Sequence, residues 1–96
     1  MERSLNSTAL HKALADLPGW YPEAQAITRT FSCASFKSSM AFAKRIAAYA
    51  ESADHHPDLL ISYTKVTVTW STHSAGGVTK KDVAGAKATD AAFRPK

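Results

Sequence analysis

Residues 59–70, LLISYTKVTVTW, contain the clearest strand signal in the sequence. Apolar side chains occupy alternate positions in the second half, at Val66, Val68 and Trp70, a period that places them on one face of a β-strand. The first half predicts a second strand, and residues 64–65 are expected to form a tight connection between the two. We therefore expect the fold to be organised around an antiparallel hairpin.

A short helix and a further strand pair are expected on the N-terminal side of this hairpin. Leucines at helical spacing within residues 10–17 follow the capping candidates of residues 6–8, and a Pro-Gly pair ends the pattern. The segment QAITRTFSC, residues 25–33, alternates imperfectly between apolar and polar side chains and predicts a strand. Residues 20–21 would form its partner strand, with the connection at residues 22–23.

The segment SFKSSMAFAKRIAAYAESA, residues 35–53, predicts a long amphipathic helix. Its apolar side chains form one stripe of Phe36, Met40, Ala43, Ala47 and Ala50 and a flank of Phe42, Ile46, Tyr49 and Ala53. Together they span about half of the helix circumference, which is wider than contact with one sheet requires. We therefore expect the flank to be buried against a partner subunit of a homo-oligomer.

A last helix follows the hairpin, and the order of the elements indicates the fold class. Thr79 and Asp82 stand at the spacing of a capping box, which marks the start of a helix. The predicted order is helix, strand, strand, helix, strand, strand, helix. With short connections, this order favours an α+β fold in which three helices pack on one face of a four-stranded antiparallel sheet. Residues 1–96 are expected to form a single domain.

Composition and charge argue against several classes of protein. The formal net charge is +4, but the 12 lysine and arginine residues are scattered, so a nucleic-acid partner is not expected. No apolar run is long enough for a signal peptide or a membrane span. The single cysteine, Cys33, cannot form an intramolecular disulfide, which fits a reducing compartment. We expect a cytoplasmic protein.

Three histidines bracket the predicted hairpin. The segment ESADHHPD, residues 51–58, places His55 and His56 before the strands, and His73 follows them. Since a hairpin brings its two ends together, the three imidazoles are expected to line one pocket. Pro57 disfavours a helical conformation at the preceding histidine and keeps the doublet extended. Imidazole accepts and donates protons near neutral pH, so the cluster suits a reaction with two proton transfers.

Several carboxylates lie near the histidines in sequence or in predicted space: Glu51, Asp54, Asp58 and Asp82. A carboxylate beside an imidazole fixes the tautomer of the ring and favours its charged form. Structural alternatives stand beside this interpretation. Asp82 would then only cap the last helix, Glu51 would be a solvated residue of the last helical turn, and Asp58 would simply follow a turn.

A zinc site is the functional alternative, because three histidines can hold this metal and leave its fourth position open. Adjacent histidines in an extended segment point apart, however, and the sequence has neither a cysteine pair nor a His-Glu-x-x-His helix. We therefore do not expect a metal.

The cluster and its surroundings resemble the signature of the pterin-4a-carbinolamine dehydratases. The resemblance rests on Glu51, the run His55-His56-Pro57, Tyr63, the pair Thr72-His73, Gly77 and Asp82. It extends outward over nearly the whole chain through Gly19-Trp20, Phe31, Phe36 and Asp90. A lone His-His-Pro is a weak signal, but the doublet combined with a Thr-His pair and an acid nine residues beyond it is specific.

The resemblance implies an enzyme that dehydrates the 4a-hydroxy-tetrahydropterin released by aromatic amino acid hydroxylases. The products are quinonoid dihydropterin and water, and neither a metal nor a redox cofactor is required because the pterin is the substrate. By position, the implied site consists of catalytic His55, His56 and His73, supporting Glu51, Asp54 and Asp82, and substrate-binding Trp20, Pro57 and Thr72. Which histidine acts as acid and which as base stays open.

The resemblance also implies partners. It predicts a homotetramer, with a dimer as the alternative. Some animal members of the family bind a homeodomain transcription factor as a dimerisation cofactor. A non-catalytic binding module is therefore the competing function.

Three residues and one connection depart from the family pattern. Trp70 stands where an aliphatic residue is usual, and Gly85 and Thr89 replace larger apolar residues of the last helix. The connection YPEAQA, residues 21–26, lacks the usual glycine-containing turn. Gly85 alone is expected to cost about 1 kcal/mol relative to alanine in a helix interior. The departures therefore predict reduced local stability.

Overall fold

The computed structural model describes residues 3–93, and its elements follow the predicted order. The helices and strands are α1 (Ser7–Leu14), β1 (Tyr21–Glu23), β2 (Ala26–Ser32), α2 (Phe36–Ala53), β3 (Asp58–Ser62), β4 (Lys65–Trp70) and α3 (Lys80–Phe93). One turn of 3-10 helix, His73–Ala75, lies between β4 and α3. The predicted α+β class, with three helices and a four-stranded antiparallel sheet, is confirmed.

The four strands form one sheet in the order β1-β2-β4-β3, with every neighbouring pair antiparallel. The central strands β2 and β4 pair from Ile27 opposite Trp70 to Ser32 opposite Lys65. Alternate side chains of these two strands form the core: Ile27, Phe31, Val66, Val68 and Trp70, each at most 2% exposed. Among the helices of residues 3–93, none combines the length and the apolar character that crossing a bilayer requires.

Both hairpin connections lie one or two residues from their predicted positions. Residues 63–64 join β3 to β4, and residues 24–25 join β1 to β2. Each connection contains a residue with positive φ, Ala24 at 55° and Tyr63 at 56°. Such turns favour glycine, asparagine or aspartate. The sequence therefore lacked the residue types that would have marked the two turns.

Helix α2 buries part of the predicted stripe together with part of the predicted flank. Its buried side chains are Ser39, Phe42, Ala43, Ile46 and Ala50. Phe36 and Met40 of the predicted stripe are instead 51% and 47% exposed. Phe42 and Ile46 of the flank that we assigned to a partner subunit are therefore core residues of this chain, and for these two residues the prediction was wrong.

The aromatic core explains the orientation of α2. The Phe42 ring lies 4.9 Å from the Phe31 ring of β2 and 5.2 Å from the Phe93 ring of α3. Phe31 and Phe93 are themselves 4.8 Å apart, so the three rings form one cluster. The helical period gives the width of an apolar face, but only these contacts decide which part of it meets the sheet.

The three departing residues, Trp70, Gly85 and Thr89, contact one another; we refer to them as the Trp70 unit. The indole Nε1 of Trp70 donates to Thr89 Oγ1 at 3.0 Å, and this hydroxyl donates to the Gly85 carbonyl at 2.7 Å. A Cβ atom at Gly85 would lie 2.6 Å from indole Cδ2, closer than van der Waals contact allows. The large side chain of Trp70 on β4 thus occupies the space left by the missing side chain of Gly85 on α3. Glycine is required at position 85 because a larger residue would overlap the indole.

Candidate active site

A cleft lies where the two ends of the β3–β4 hairpin meet the first turn of α3. It has a volume of about 350 Å³ and is lined by Asp54, His55, His56, Ser71, Thr72, His73, Ser74 and Lys81. The loop after α2 supplies the first three of these residues, and the segment after β4 supplies the next four. Antiparallel pairing therefore brings the three histidines to one opening.

The neighbouring histidines point to different surroundings. The His55 side chain is 14% exposed, and its Nε2 lies 2.6 Å from Oδ1 of the buried Asp82. His56 Nε2 lies 2.6 Å from Glu51 Oε2, and these two side chains are 55% and 78% exposed. Water screens an exposed pair, so the Glu51 contact contributes little to stability. His55 is therefore fixed by a buried carboxylate, whereas His56 contacts only an exposed carboxylate at the surface.

Asp82 is fully buried and accepts hydrogen bonds with both carboxylate oxygens. Oδ2 accepts from the Thr72 hydroxyl at 2.7 Å and from the Thr79 backbone N–H at 2.8 Å, while Oδ1 faces His55. The bond to Thr79 is the helix-capping contact that the sequence predicted. The same side chain therefore caps α3 and orients His55, so the two interpretations of Asp82 are not exclusive.

The Asp82 contact determines which His55 nitrogen carries the proton. An ionised carboxylate can only accept hydrogen bonds, so His55 Nε2 must be the donor. The neutral ring then has its lone pair on Nδ1. Within residues 3–93, Nδ1 has no hydrogen-bond partner, and no buried side-chain nitrogen or oxygen is left without one. Nδ1 is therefore not fully buried, and it belongs to a residue that lines the cleft.

Thr72 contributes a second contact to this arrangement. Its hydroxyl donates to Asp82 and therefore accepts from the Thr79 hydroxyl at 2.9 Å. The Thr79 hydroxyl in turn accepts from the Lys81 backbone N–H at 3.2 Å. This chain of hydrogen bonds fixes the position of the Asp82 carboxylate and, through it, that of the His55 ring.

Other cleft residues are less constrained. His73 lies on the 3-10 turn and is exposed, and its ring makes no hydrogen bond to any side chain of residues 3–93. Asp54 caps α2 with a φ of 53°, and its carboxylate makes no ion pair within that same range. Lys81 adds a cation to the residues that line the cleft, and it was not among the predicted site residues. Its position beside the predicted cap residue Asp82 was the available signal.

Two predicted substrate-binding residues lie outside the residues that line the cleft. Trp20 is 5% exposed, and its indole Nε1 donates to Asp90 Oδ1 at 2.9 Å. Asp90 is eight residues after Asp82 on α3, which is about 12 Å along the helix axis. Pro57 is half-buried between the His-His pair and β3. Contact of these two residues with a substrate stays a prediction.

The described part of the chain, residues 3–93, contains no group of three or more His, Cys, Asp or Glu side chains arranged to hold a metal ion. The histidines diverge, as the extended doublet predicted, and two of them bond to separate carboxylates.

Comparison with known proteins identifies relatives over nearly the whole chain. The family model described as pterin 4 alpha carbinolamine dehydratase matches residues 3–92. A provisionally named pterin-4-alpha-carbinolamine dehydratase of Roseiflexus castenholzii is 45% identical over 82 residues, covering 85% of this chain and 88% of the relative. One with the same provisional name from Rhodospirillum rubrum is 42% identical over 92 residues, with 94% and 96% covered.

Two solved structures share the fold. A transcriptional coactivator/pterin dehydratase from Brucella melitensis has a TM-score of 0.93 and 36% identity, covering 96% of this chain and 100% of its own. A pterin dehydratase-like protein identified as a RuBisCO assembly factor in the alpha-carboxysome has a TM-score of 0.65 and 22% identity, covering 80% and 89%. At this lower identity the second likeness shows the fold alone.

Proposed function

Because the chain belongs to the pterin 4 alpha carbinolamine dehydratase family, we propose that it dehydrates 4a-hydroxy-tetrahydrobiopterin to quinonoid dihydropterin and water. The observation that carries this proposal is the His55–Asp82 pair in a cleft that also contains His56 and His73. The reaction regenerates a form of the pterin that can be reduced again for aromatic amino acid hydroxylases.

The reaction requires two proton transfers at neighbouring ring atoms. The bond between carbon 4a and its hydroxyl oxygen breaks, and the oxygen leaves with an added proton as water. The adjacent ring nitrogen loses its proton, and its electrons form the carbon–nitrogen double bond. One group must therefore donate a proton and another must accept one, and both must lie within hydrogen-bond reach of the substrate.

We assign the base to His55. Its Nε2 donates to Asp82, so the lone pair of the neutral ring is on Nδ1, which has no partner within residues 3–93 and is not fully buried. When Nδ1 accepts the proton of the pterin nitrogen, the ring becomes cationic while its other nitrogen remains bonded to a buried carboxylate. This arrangement supports proton acceptance in the same way that an acid orients a catalytic histidine in a hydrolase triad.

The proton donor in this proposal is one of the two exposed rings, His56 or His73. His56 is oriented by Glu51, whereas His73 lines the same cleft from the 3-10 turn after β4. Single alanine variants separate the two, because loss of the donor lowers turnover while loss of a contact to the pterin mainly raises KM.

A coupled assay tests the recycling role. An aromatic amino acid hydroxylase supplied with limiting tetrahydropterin and a pterin reductase should run faster when this protein is added. The His55→Ala variant is the matched control, and it should leave the hydroxylase rate at the level without protein. Equal rates with no protein, wild type and variant would contradict the proposal.

A binding module is the second candidate, favoured by the description of the Brucella melitensis structure as a transcriptional coactivator/pterin dehydratase. In that role the fold would act through its surface and not through the cleft. The His55→Ala variant distinguishes the two candidate functions. It would lower the turnover of an enzyme and would leave the affinity of a binding module for its partner unchanged.

A further inference from the structure

His55 rests with one face on the indole of Trp70. The two ring centroids are 5.5 Å apart and the ring planes are inclined by 26°, which is the range of an offset stack. Asp82 contacts the same imidazole at its edge, through Nε2. The ring is therefore constrained at one face by Trp70 and at one edge by Asp82.

The indole itself is fixed from several sides. Trp70 is fully buried and its Nε1 donates to Thr89 Oγ1 at 3.0 Å. The backbone of Gly85 lies so close to the ring that an added Cβ would be within 2.6 Å of both Cδ2 and Cε2. The Tyr49 ring meets it edge-on at 6.0 Å, with planes at 80°. These contacts restrain the orientation of the indole, and two of them come from the rest of the Trp70 unit.

We propose that Trp70 is a positioning residue for proton transfer, acting through His55, and that Gly85 and Thr89 serve to hold its plane. The inference rests on the proposed dehydration. It assigns a role to the three residues that depart from the family pattern, none of which lines the cleft.

The stack with Trp70 matters because it limits rotation of the His55 ring. A ring attached through one hydrogen bond to Asp82 can still tilt about that bond, and its Nδ1 lone pair then points away from a bound pterin. The flat Trp70 indole, stacked on one face of the imidazole, opposes this tilt. An aliphatic side chain has no flat surface and would not hold the ring in one plane. Small errors in the placement of a reacting group lower the rate steeply, so the stack should affect kcat more than KM.

The test compares two variants of the full-length protein. Trp70→Leu/Gly85→Ala puts an aliphatic residue on the strand and returns a side chain to the helix, which keeps the core filled. Trp70→Phe retains a flat ring. We expect kcat of the double variant to fall about 10-fold with KM changed less than about 2-fold, and kcat of Trp70→Phe to stay within about 3-fold of wild type.

A matched control excludes a general effect of core stability. Phe42→Leu weakens the aromatic cluster with Phe31 and Phe93, away from His55, and should lower the melting temperature without lowering kcat. If the folded double variant keeps the kcat of wild type, or if Phe42→Leu loses as much kcat as the double variant, Trp70 is only a core residue and the inference is overturned.

A second measurement does not depend on turnover. The proton on His55 Nε2, bonded to Asp82, should exchange slowly with water in the NMR spectrum of wild type and at least about 10-fold faster in Trp70→Leu/Gly85→Ala, because a tilting ring opens that bond. Equal exchange rates in folded proteins would contradict the positioning role. Slow exchange in a wild type without dehydratase activity would instead show that the proposed function, and not the ring placement, is wrong.

Discussion

His55 Nε2 lies 2.6 Å from Oδ1 of Asp82, and this carboxylate is also the cap of helix α3 through the Thr79 backbone N–H. The start of a helix and the orientation of the ring that we propose as the base therefore depend on one side chain. Asp82 is fully buried, and His55 is the one protein donor to Oδ1 within residues 3–93, so a loss of His55 leaves this oxygen without a protein partner. Oδ2 keeps one donor when either Thr72 or Thr79 is lost.

Replacing Asp82 with asparagine should separate these two roles. The amide oxygen can still accept from Thr72 and Thr79, but the amide nitrogen then faces His55 and donates to Nε2. The imidazole proton moves to Nδ1, which can no longer accept a proton from the substrate. We expect turnover to fall by about 100-fold or more while stability changes by about 1 kcal/mol or less.

Asp82→Ala is the companion variant. It removes the cap as well as the His55 contact and leaves buried donors unpaired, so it should lose turnover and also about 3 kcal/mol of unfolding free energy. Urea denaturation and steady-state kinetics check both variants. Wild-type turnover in Asp82→Asn would contradict the assignment of His55 as the base.

The three histidines should differ in their contribution to stability. His55→Ala leaves Asp82 without a donor on one oxygen and should cost about 1–3 kcal/mol. His56→Ala and His73→Ala remove exposed rings and should each cost less than about 1 kcal/mol. Thermal melts of the three variants test this order, and equal losses would mean that His55 is not held as its contacts indicate.

Gly85→Ala should destabilise the protein, although alanine is the better helix former by about 1 kcal/mol. The added methyl group would meet the Trp70 ring at 2.6 Å, and overpacking of this kind costs about 1–3 kcal/mol. In a Trp70→Leu background the same substitution should be stabilising, because the methyl group then fills space that the indole vacated. A double-mutant cycle by urea denaturation measures this reversal. Independent effects of the two substitutions would contradict the complementary packing.

The exposed apolar side chains of α2 should lie in a subunit interface. Phe36 and Met40 are 51% and 47% exposed, and we expect the homotetramer that the family resemblance implies. Light scattering of the wild type should give the mass of four chains, and Met40→Glu should give a smaller species. Lys12→Glu on α1 is the control for an added negative charge and should not change the mass. A wild-type monomer would contradict this prediction.

The helices and strands could be predicted from patterns among residues that are close together in the sequence. The alternation of Val66, Val68 and Trp70 gave β4, and the spacing of Thr79 and Asp82 gave the start of α3, because each pattern depends only on neighbouring residues. The hairpin then brought the three histidines together by geometry. The turns were misplaced since Ala24 and Tyr63 take a conformation that their side chains do not favour.

Contacts between distant elements could not be predicted in this way. The periodicity of α2 does not say that Phe42 meets Phe31 and Phe93. The sequence marks Trp70 and Gly85 as separate departures from the family pattern, but it does not show that they contact each other, because this contact forms only when strand and helix pack together. The expectation that Gly85 lowers stability was therefore incomplete. Glycine is unfavourable for the helix, but the Trp70 indole leaves no space for a larger residue at this position.

The rate of the dehydration itself tests the proposed function most directly. Freshly generated 4a-hydroxy-tetrahydropterin decays in buffer, and its absorbance change should accelerate when micromolar protein is added in the presence of a chelator. We expect wild type to accelerate the decay equally with and without chelator, and His55→Ala to lower this acceleration by about 100-fold. No acceleration by the wild type, or an activity that chelator removes and zinc restores, would contradict the proposed function.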